Sequence, residues 1–175
     1  MHGNNRIGFE LSDKGTATLQ SFNPATAETR AGQFKGATVE EIEAAMTKAE
    51  IAFDAYRQTS PEQRAQFLEA IADEMLNLGD ELVHAAMEES ALPEGRIVGE
   101  RGRTMGQLKL FASLLRDGAW IEATIDTAQP DREPLPKPDI RKMLRPIGPV
   151  VVFTASNFPL AFSTAGGDTA SALAS

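Results

Sequence analysis

Arg145-Pro-Ile-Gly-Pro leads into four consecutive apolar residues, Val150-Val-Val-Phe153, followed by a polar turn that holds Asn157. An unbroken apolar run predicts a strand buried on both faces. A single parallel strand cannot satisfy its own backbone hydrogen bonds, so this run constrains the chain to an α/β arrangement in which other strands flank it. Phe158-Pro159 is expected to start a helix, rich in Ala, Ser and Gly, that runs on to Ser175. In an open α/β sheet the tip of such a strand is a usual place for a cofactor and a reacting carbonyl. Gly166-Gly167 inside that helix costs about 1 kcal/mol per glycine relative to alanine, which marks a close backbone approach or an irregular helix.

Upstream, helices dominate. Residues 1–37 are polar and punctuated by glycine, with a loosely alternating stretch from Thr16 to Phe22 that could form a strand and a turn at Asn23-Pro24. Thr38-Val-Glu-Glu41 is a capping box, and the helix after it places Ile42, Ala45, Met46, Ala49 and Phe53 on one stripe. Ser60-Pro-Glu-Gln63 is a second capping box with proline at the first helical position. Its helix carries Phe67, Leu68, Ile71, Met75 and Leu78, and Gly79 suits its C-terminal stop. Asp80 can cap a third helix that runs to about Glu89, and Leu92-Pro93 starts a fourth that ends near Gly118. Residues 120–127 and 140–144 read as two strands of an antiparallel hairpin. The loop between them holds Pro130, Pro134, Pro136 and Pro138.

Composition narrows the partners. The 175 residues suit one domain, and the net charge of −8 argues against nucleic acid or an anionic membrane, since both call for a basic footprint. No cysteine is present, which removes disulfides, thiolate metal sites and a cysteine nucleophile from these residues. Met1-His-Gly-Asn-Asn-Arg6 lacks the apolar core of a secretion signal, and no stretch is apolar and long enough to span a bilayer. A cytoplasmic protein is expected.

Few residues suggest chemistry. Asn157 at a strand tip could donate its amide N–H to an oxyanion, or it could form an Asx-turn or cap the next helix. Arg96, Glu100 and Arg103 share a helical face at i, i+4 and i+7. An arginine there could hold a substrate carboxylate in a bidentate fork, but the spacing by itself favours a surface ion-pair ladder. His2 and His84 are far apart, with no carboxylate cluster near either at metal-ligand spacing, so no metal is expected. His2 is expected to be disordered and His84 to lie on a helix surface. Glu88-Glu89 reads as a solvated helix end. There is no G-x-G-x-x-G, no P-loop and no complete nucleophile–base set.

Several segments, in order, resemble the aldehyde dehydrogenase superfamily. They are Ser21-Phe-Asn-Pro-Ala-Thr26, the run from Arg64 to Met75, Glu88-Glu-Ser-Ala-Leu-Pro-Glu94, Glu100 to Ala112, Arg145 to Val150 and Ser156 to Leu173. The later segments are similar to the branch of α-ketoglutarate semialdehyde dehydrogenases and NADP-preferring fatty aldehyde dehydrogenases. That branch has Ala-Ser at 155–156 where many relatives have Pro-Trp.

The resemblance implies an N-terminal portion of that fold, with helices packed on a Rossmann-like sheet. Residues 1–119 would be its strands and helices, 120–146 a hairpin arm joining subunits into a dimer or tetramer, and 147–175 the first strand and helix of the cofactor core. It implies oxidation of an aldehyde to a carboxylate with NAD or NADP, through a cysteine thioester whose cysteine and general-base glutamate lie outside these residues. Asn157 would polarise the aldehyde oxygen. Phe153, Thr154, Ala155 and Ser156 would lie along the cofactor, and Phe158 and Arg103 would line the substrate tunnel, with Arg103 holding the distal acid of a semialdehyde. The alternative is a structural or subunit-interaction module without chemistry, which the missing cysteine fits. Ala170-Ser-Ala-Leu-Ala-Ser175 carries no helix stop signal, which suggests truncation, so these 175 residues alone are expected to be inactive and to aggregate.

Overall fold

The computed structural model describes residues 3–175, so the expectation for His2 lies outside the described residues. Among the described residues there are four small antiparallel strand pairs and five α-helices. Strand β1 (Asn5–Ile7) pairs with β2 (Glu10–Ser12), and β3 (Thr18–Leu19) pairs with β6 (Phe34–Lys35) around the inner hairpin of β4 (Phe22–Asn23) and β5 (Glu28–Thr29). The helices are α1 (Val39–Tyr56), α2 (Pro61–Asn77), α3 (Gly79–Ser90), α4 (Glu94–Asp117) and α5 (Gly167–Ala174). Strands β7 (Thr124–Asp126) and β8 (Ile140–Lys142) form the expected hairpin, in register Thr124 to Lys142.

Helix starts follow the caps in the sequence. Thr38 Oγ1 accepts from Glu41 N–H (3.1 Å), and Glu41 Oε2 accepts from Thr38 N–H (2.8 Å). Ser60 and Gln63 repeat this reciprocal box at α2, satisfying donors that a helix otherwise leaves open. Gly79 has φ +56° and Gly118 has φ +74°, left-handed conformations that end α2 and α4. Asp80 does not cap α3. The N-cap position belongs to Leu78, which is still helical, because α2 and α3 are joined without an intervening loop.

The core lies between α2 and α4. Ala65, Leu68, Ala72 and Met75 of α2 meet Leu108, Ala112 and Leu115 of α4, with Ala170 and Ala174 of α5 closing the layer. Of the expected α2 stripe, Leu68, Ile71 and Met75 pack in or against this core. Phe67 and Leu78 are about half exposed, and the alanines face inward, where their small side chains let the helices approach closely. A second cluster joins Val83 and Ala86 of α3 to Ile97 of α4 and Leu160. Helix α1 differs from expectation, since Ile42 and Met46 stay about half exposed and Glu41 is its buried residue.

Two further expectations are corrected. Residues 150–153 form no strand, and Val150, Val151 and Phe153 are exposed. A strand exists only as one partner of a ladder, and among the described residues none lies beside this run. The last helix begins at Gly167, not at Phe158. Residues 156–165 fold instead as successive turns, and Gly166 takes the N-cap position. A Cβ on Gly166 would sit 2.4 Å from the Ala161 carbonyl oxygen, so glycine is required there by close backbone approach. Likewise, the segment after α4 opens with a short 3-10 turn, Ala119–Ile121, because Gly118 and Glu122 both adopt left-handed φ and turn the chain before β7.

Charge pairs tie the layers together at the surface. Arg30 bridges Glu88 and Glu89 at 2.6 Å each, so the C-terminal end of α3 is clamped to the N-terminal segment. Arg116 of α4 reaches Glu62 (2.8 Å) and Glu69 (2.6 Å) of α2. Hydrogen bonds from Arg116 hold both carboxyls below their usual value of 4.5. A lowered folded-state value means that stability from this pair is present above the unfolded value and is lost as pH falls through the folded one. Arg116→Met is therefore expected to lower the thermal midpoint at pH 7 slightly and to reduce the loss of stability seen below about pH 4.5. Thermal melts from pH 7 to pH 3 check this; parallel curves for variant and parent would refute it.

Candidate functional site

Helix α4 presents a polar cluster to the turns after residue 153. Ile97, Glu100, Thr104, Leu108, Ala112 and Leu115 form its buried stripe, so Glu100 is a lone carboxylate among inward-facing positions, 3% exposed. Its Oε1 accepts from Leu160 N–H (2.8 Å) and Ala161 N–H (2.9 Å), and its Oε2 lies 3.4 Å from Arg96 Nε. Thr104 Oγ1 donates to the Glu100 carbonyl (2.9 Å). Of the surface ion-pair ladder expected for Arg96, Glu100 and Arg103, only the Arg96–Glu100 rung forms, and its carboxylate is buried rather than on the surface. The loop of residues 155–162 covers that face, and Glu100 is bonded to the loop backbone.

This loop is closed at its base, where Ala155 N–H donates to Phe162 O (2.9 Å). Phe162 N–H donates back to Phe158 O (3.2 Å), and Gly167 N–H donates to Ala161 O (3.0 Å), which docks the start of α5. Asn157 is exposed on the closed loop. It does not cap α5, since Gly166 holds that place, and no hydrogen bond among the described residues engages its side-chain amide. Phe158 is next to it and half-buried. The Arg96 guanidinium lies 4.6 Å from the Phe158 ring centre, and that of Arg103 lies 5.5 Å from Phe158 and 5.4 Å from Phe162. The two rings meet edge to face at 5.4 Å. Arg96 is paired with Glu100, whereas Arg103 pairs with no carboxylate among the described residues.

The other expected site residues separate into two groups. Thr154, Ala155 and Ser156 line a cavity of about 520 Å³ against α3, together with Leu82, Glu81 and Glu89. Phe153, 86% exposed, instead lines a shallow hollow with Val151 and Ala172. Arg103 and Phe162 share a third cavity, of about 330 Å³, with Phe111, Gln107 and Asp168. Phe158 and Arg103 are in contact and Asn157 adjoins Phe158 in the chain, but Phe153 is not joined to Thr154–Ser156 in one hollow. The burial of Glu100 against the loop is not anticipated by the sequence reading. The position of Glu100 on the same stripe as Ile97, Thr104 and Leu108 was the available signal. His84 is exposed on α3, as expected. Among the described residues no three His, Cys, Asp or Glu side chains gather as a metal site, and no helix is long and apolar enough to cross a membrane.

Known proteins share this sequence and shape. The chain is 54% identical over 169 residues to Alpha-ketoglutaric semialdehyde dehydrogenase 2 of Azospirillum brasilense, covering 96% of this chain and 32% of that protein. It is 50% identical over 157 residues to Alpha-ketoglutaric semialdehyde dehydrogenase of Acinetobacter baylyi, covering 90% of this chain and 30% of that protein. The chain therefore spans about a third of the length of these curated relatives. In shape it is similar to the NADP-dependent glyceraldehyde-3-phosphate dehydrogenase from Bacillus halodurans complexed with NADP, with a TM-score of 0.81 at 20% identity over 99% of this chain and 36% of that one. The sequence profile of the aldehyde dehydrogenase family matches residues 11–175, and on that match, together with the shared α/β fold, this chain belongs to the aldehyde dehydrogenase family.

Proposed function

We propose that the full protein oxidises an aldehyde bearing a distal acid, α-ketoglutarate semialdehyde or a related semialdehyde, to the carboxylate with NAD or NADP. The observation that carries this reading is the unpaired Arg103 guanidinium over Phe158, the neighbour of the exposed Asn157. The 54% identity to a protein named as an α-ketoglutaric semialdehyde dehydrogenase supports the choice of substrate. In this reading the protein acts in the cytoplasm.

The roles follow from chemistry. The Asn157 amide donates to the oxygen on which negative charge develops when the aldehyde carbon is attacked, and one such donor lowers a barrier by about 3 kcal/mol. Arg103 offers a planar fork for the distal carboxylate, and Phe158 forms the wall between the two ends of the substrate. The chain contains no cysteine, so the attacking thiol of this reading comes from outside these 175 residues.

For the cofactor, the cavity beside Thr154, Ala155 and Ser156 contains no Lys or Arg and two carboxylates, Glu81 and Glu89. It fits an uncharged part of a dinucleotide, with Thr154 and Ser156 hydroxyls as hydrogen-bonding groups, and not its phosphates. When bound, the dinucleotide supplies the hydride acceptor. Residues 147–175 belong, in this reading, to the cofactor-binding core.

The β7–β8 hairpin serves as a subunit arm of a homodimer or homotetramer. Ile125, Leu135 and Ile140 are more than half exposed along it, an apolar strip that a second subunit would cover. A second reading, a structural module without chemistry, rests on the same strip.

Three outcomes are expected of the full-length protein. Asn157→Ala lowers kcat about 100- to 1,000-fold, measured by reduction of the dinucleotide. Arg103→Met raises KM for α-ketoglutarate semialdehyde about 10-fold or more and leaves an uncharged aldehyde of similar length unaffected; an unchanged KM for the acid substrate would remove Arg103 from the site. Ile125→Lys with Ile140→Lys reduces the mass in light scattering to that of a smaller assembly, and an unaltered mass would exclude the hairpin as the arm.

A further inference from the structure

We propose that Glu100 is a positioning residue for the reaction, acting through the loop that presents Asn157 and Phe158. This rests on the oxyanion reading of Asn157 given above. Three features point to it. The first is burial. Glu100 is 3% exposed, and a carboxylate removed from water persists only where donors replace the water. The second is where those donors come from. Its Oε1 accepts two consecutive backbone N–H groups, Leu160 and Ala161, three and four residues beyond Asn157. Leu160 and Ala161 are themselves 5% exposed, so without Glu100 both N–H groups would be left unpaired in a dry setting. The third is the other oxygen. Oε2 holds Arg96, whose guanidinium lies on the Phe158 ring. One side chain, rooted in the second turn of the 24-residue helix α4, thereby fixes the loop backbone on one flank of Asn157 and the aromatic wall beside it.

The loop has no strand or helix of its own from residue 154 to residue 166. It is closed by the Ala155–Phe162 bond at the base, by the Phe162–Phe158 and Ser163–Leu160 bonds within its turns, and by Glu100 along the side. An amide aimed at a developing oxyanion must be placed within a fraction of an ångström, and displacement by about 1 Å costs on the order of 100-fold in rate. Glu100 supplies the hydrogen bonds that tie the loop backbone to helix α4 on this flank of Asn157.

The test is a double-mutant cycle in the full-length protein with α-ketoglutarate semialdehyde and the nicotinamide dinucleotide. Glu100→Gln retains one acceptor oxygen but presents a donor to Arg96. Its expected effect is a fall in kcat of about 10- to 100-fold with little change in the dinucleotide Kd. If Glu100 acts through Asn157, adding Glu100→Gln to Asn157→Ala lowers kcat by less than about 2-fold more. Glu100→Asp, which keeps the charge but draws the carboxylate back by one methylene, is expected to show the same non-additivity. Hydrogen exchange at the Leu160 and Ala161 amides should quicken in both variants. Additive effects, or unchanged kcat in a folded Glu100→Gln protein, would overturn the proposal. So would failure of both variants to fold, since that outcome assigns Glu100 to folding alone. If the parent protein oxidises no aldehyde, the underlying reading is what fails; parent turnover with an additive cycle sinks only the positioning role.

Discussion

A buried carboxylate with two backbone donors organises this chain. Glu100 joins the rigid part, the α2–α4 layer, to the part without regular structure, residues 154–166. Leaving a buried backbone N–H without its acceptor typically costs about 1–3 kcal/mol, because the donor is stranded away from water. The arrangement is therefore strongly directional. The loop can lie against α4 only where Leu160 and Ala161 reach Oε1, and that fixes where Phe158 meets the two arginines. The close α2–α4 contact through Ala65, Ala72 and Ala112 gives α4 the stiffness this requires. Leu160 continues the loop's attachment by packing on Val83, Ala86 and Ile97, so apolar burial and hydrogen bonding act at the same residue.

The run Val150–Phe153 shows a different constraint. Its apolar residues have the composition of a central strand, yet Val150, Val151 and Phe153 are exposed and the run makes no ladder. Hydrogen bonding in a sheet is a property of pairs of strands, and composition alone cannot supply the partner. Helix α1 has the same character. Its caps form fully, because they are local, while Ile42, Met46 and Ile51 remain exposed, because burial needs a facing surface. A groove of about 670 Å³ separates Phe53 and Tyr56 of α1 from Ile147, Val150 and Val152, so these two incompletely covered segments border a common space.

This contrast explains what could be read from the residues. Both capping boxes, the glycine stops at Gly79 and Gly118 and the β7–β8 hairpin depend on neighbours within a few positions or on a turn, and each was legible. The face of α2 was legible at Leu68, Ile71 and Met75, while Phe67 and Leu78 look like core residues but lie at its edge and the helix turns Ala65 and Ala72 inward instead. The start of α5 was misplaced by nine residues, since Phe158-Pro159 resembles a helix start and the carbonyl of Ala161 that crowds Gly166 is invisible in a linear pattern. Asn157 was legible as a chemical candidate, and the structure removes its role as a helix cap. Glu100 was not legible as more than a ladder member. The i, i+4, i+7 spacing states which residues share a face, and only its coincidence with the Ile97–Thr104–Leu108 stripe states that the face is covered.

The two arginines on Phe158 raise an electrostatic question that Glu100 answers. Guanidinium groups at 4.6 and 5.5 Å from one ring would repel each other, and a cation–π contact at an exposed site contributes only about 0.5–1 kcal/mol each. The Glu100 carboxylate beside Arg96 cancels one of the two charges, so the cluster carries a net charge of one, located on Arg103. In the proposed function, a substrate carboxylate arriving at this surface would meet an Arg96 already engaged with Glu100 and an Arg103 that pairs with no carboxylate among the described residues. If a distal acid is bound here, the same buried glutamate that holds the loop also selects which arginine binds it. Specificity and placement of the amide then share one origin, a single carboxylate on the inward stripe of α4.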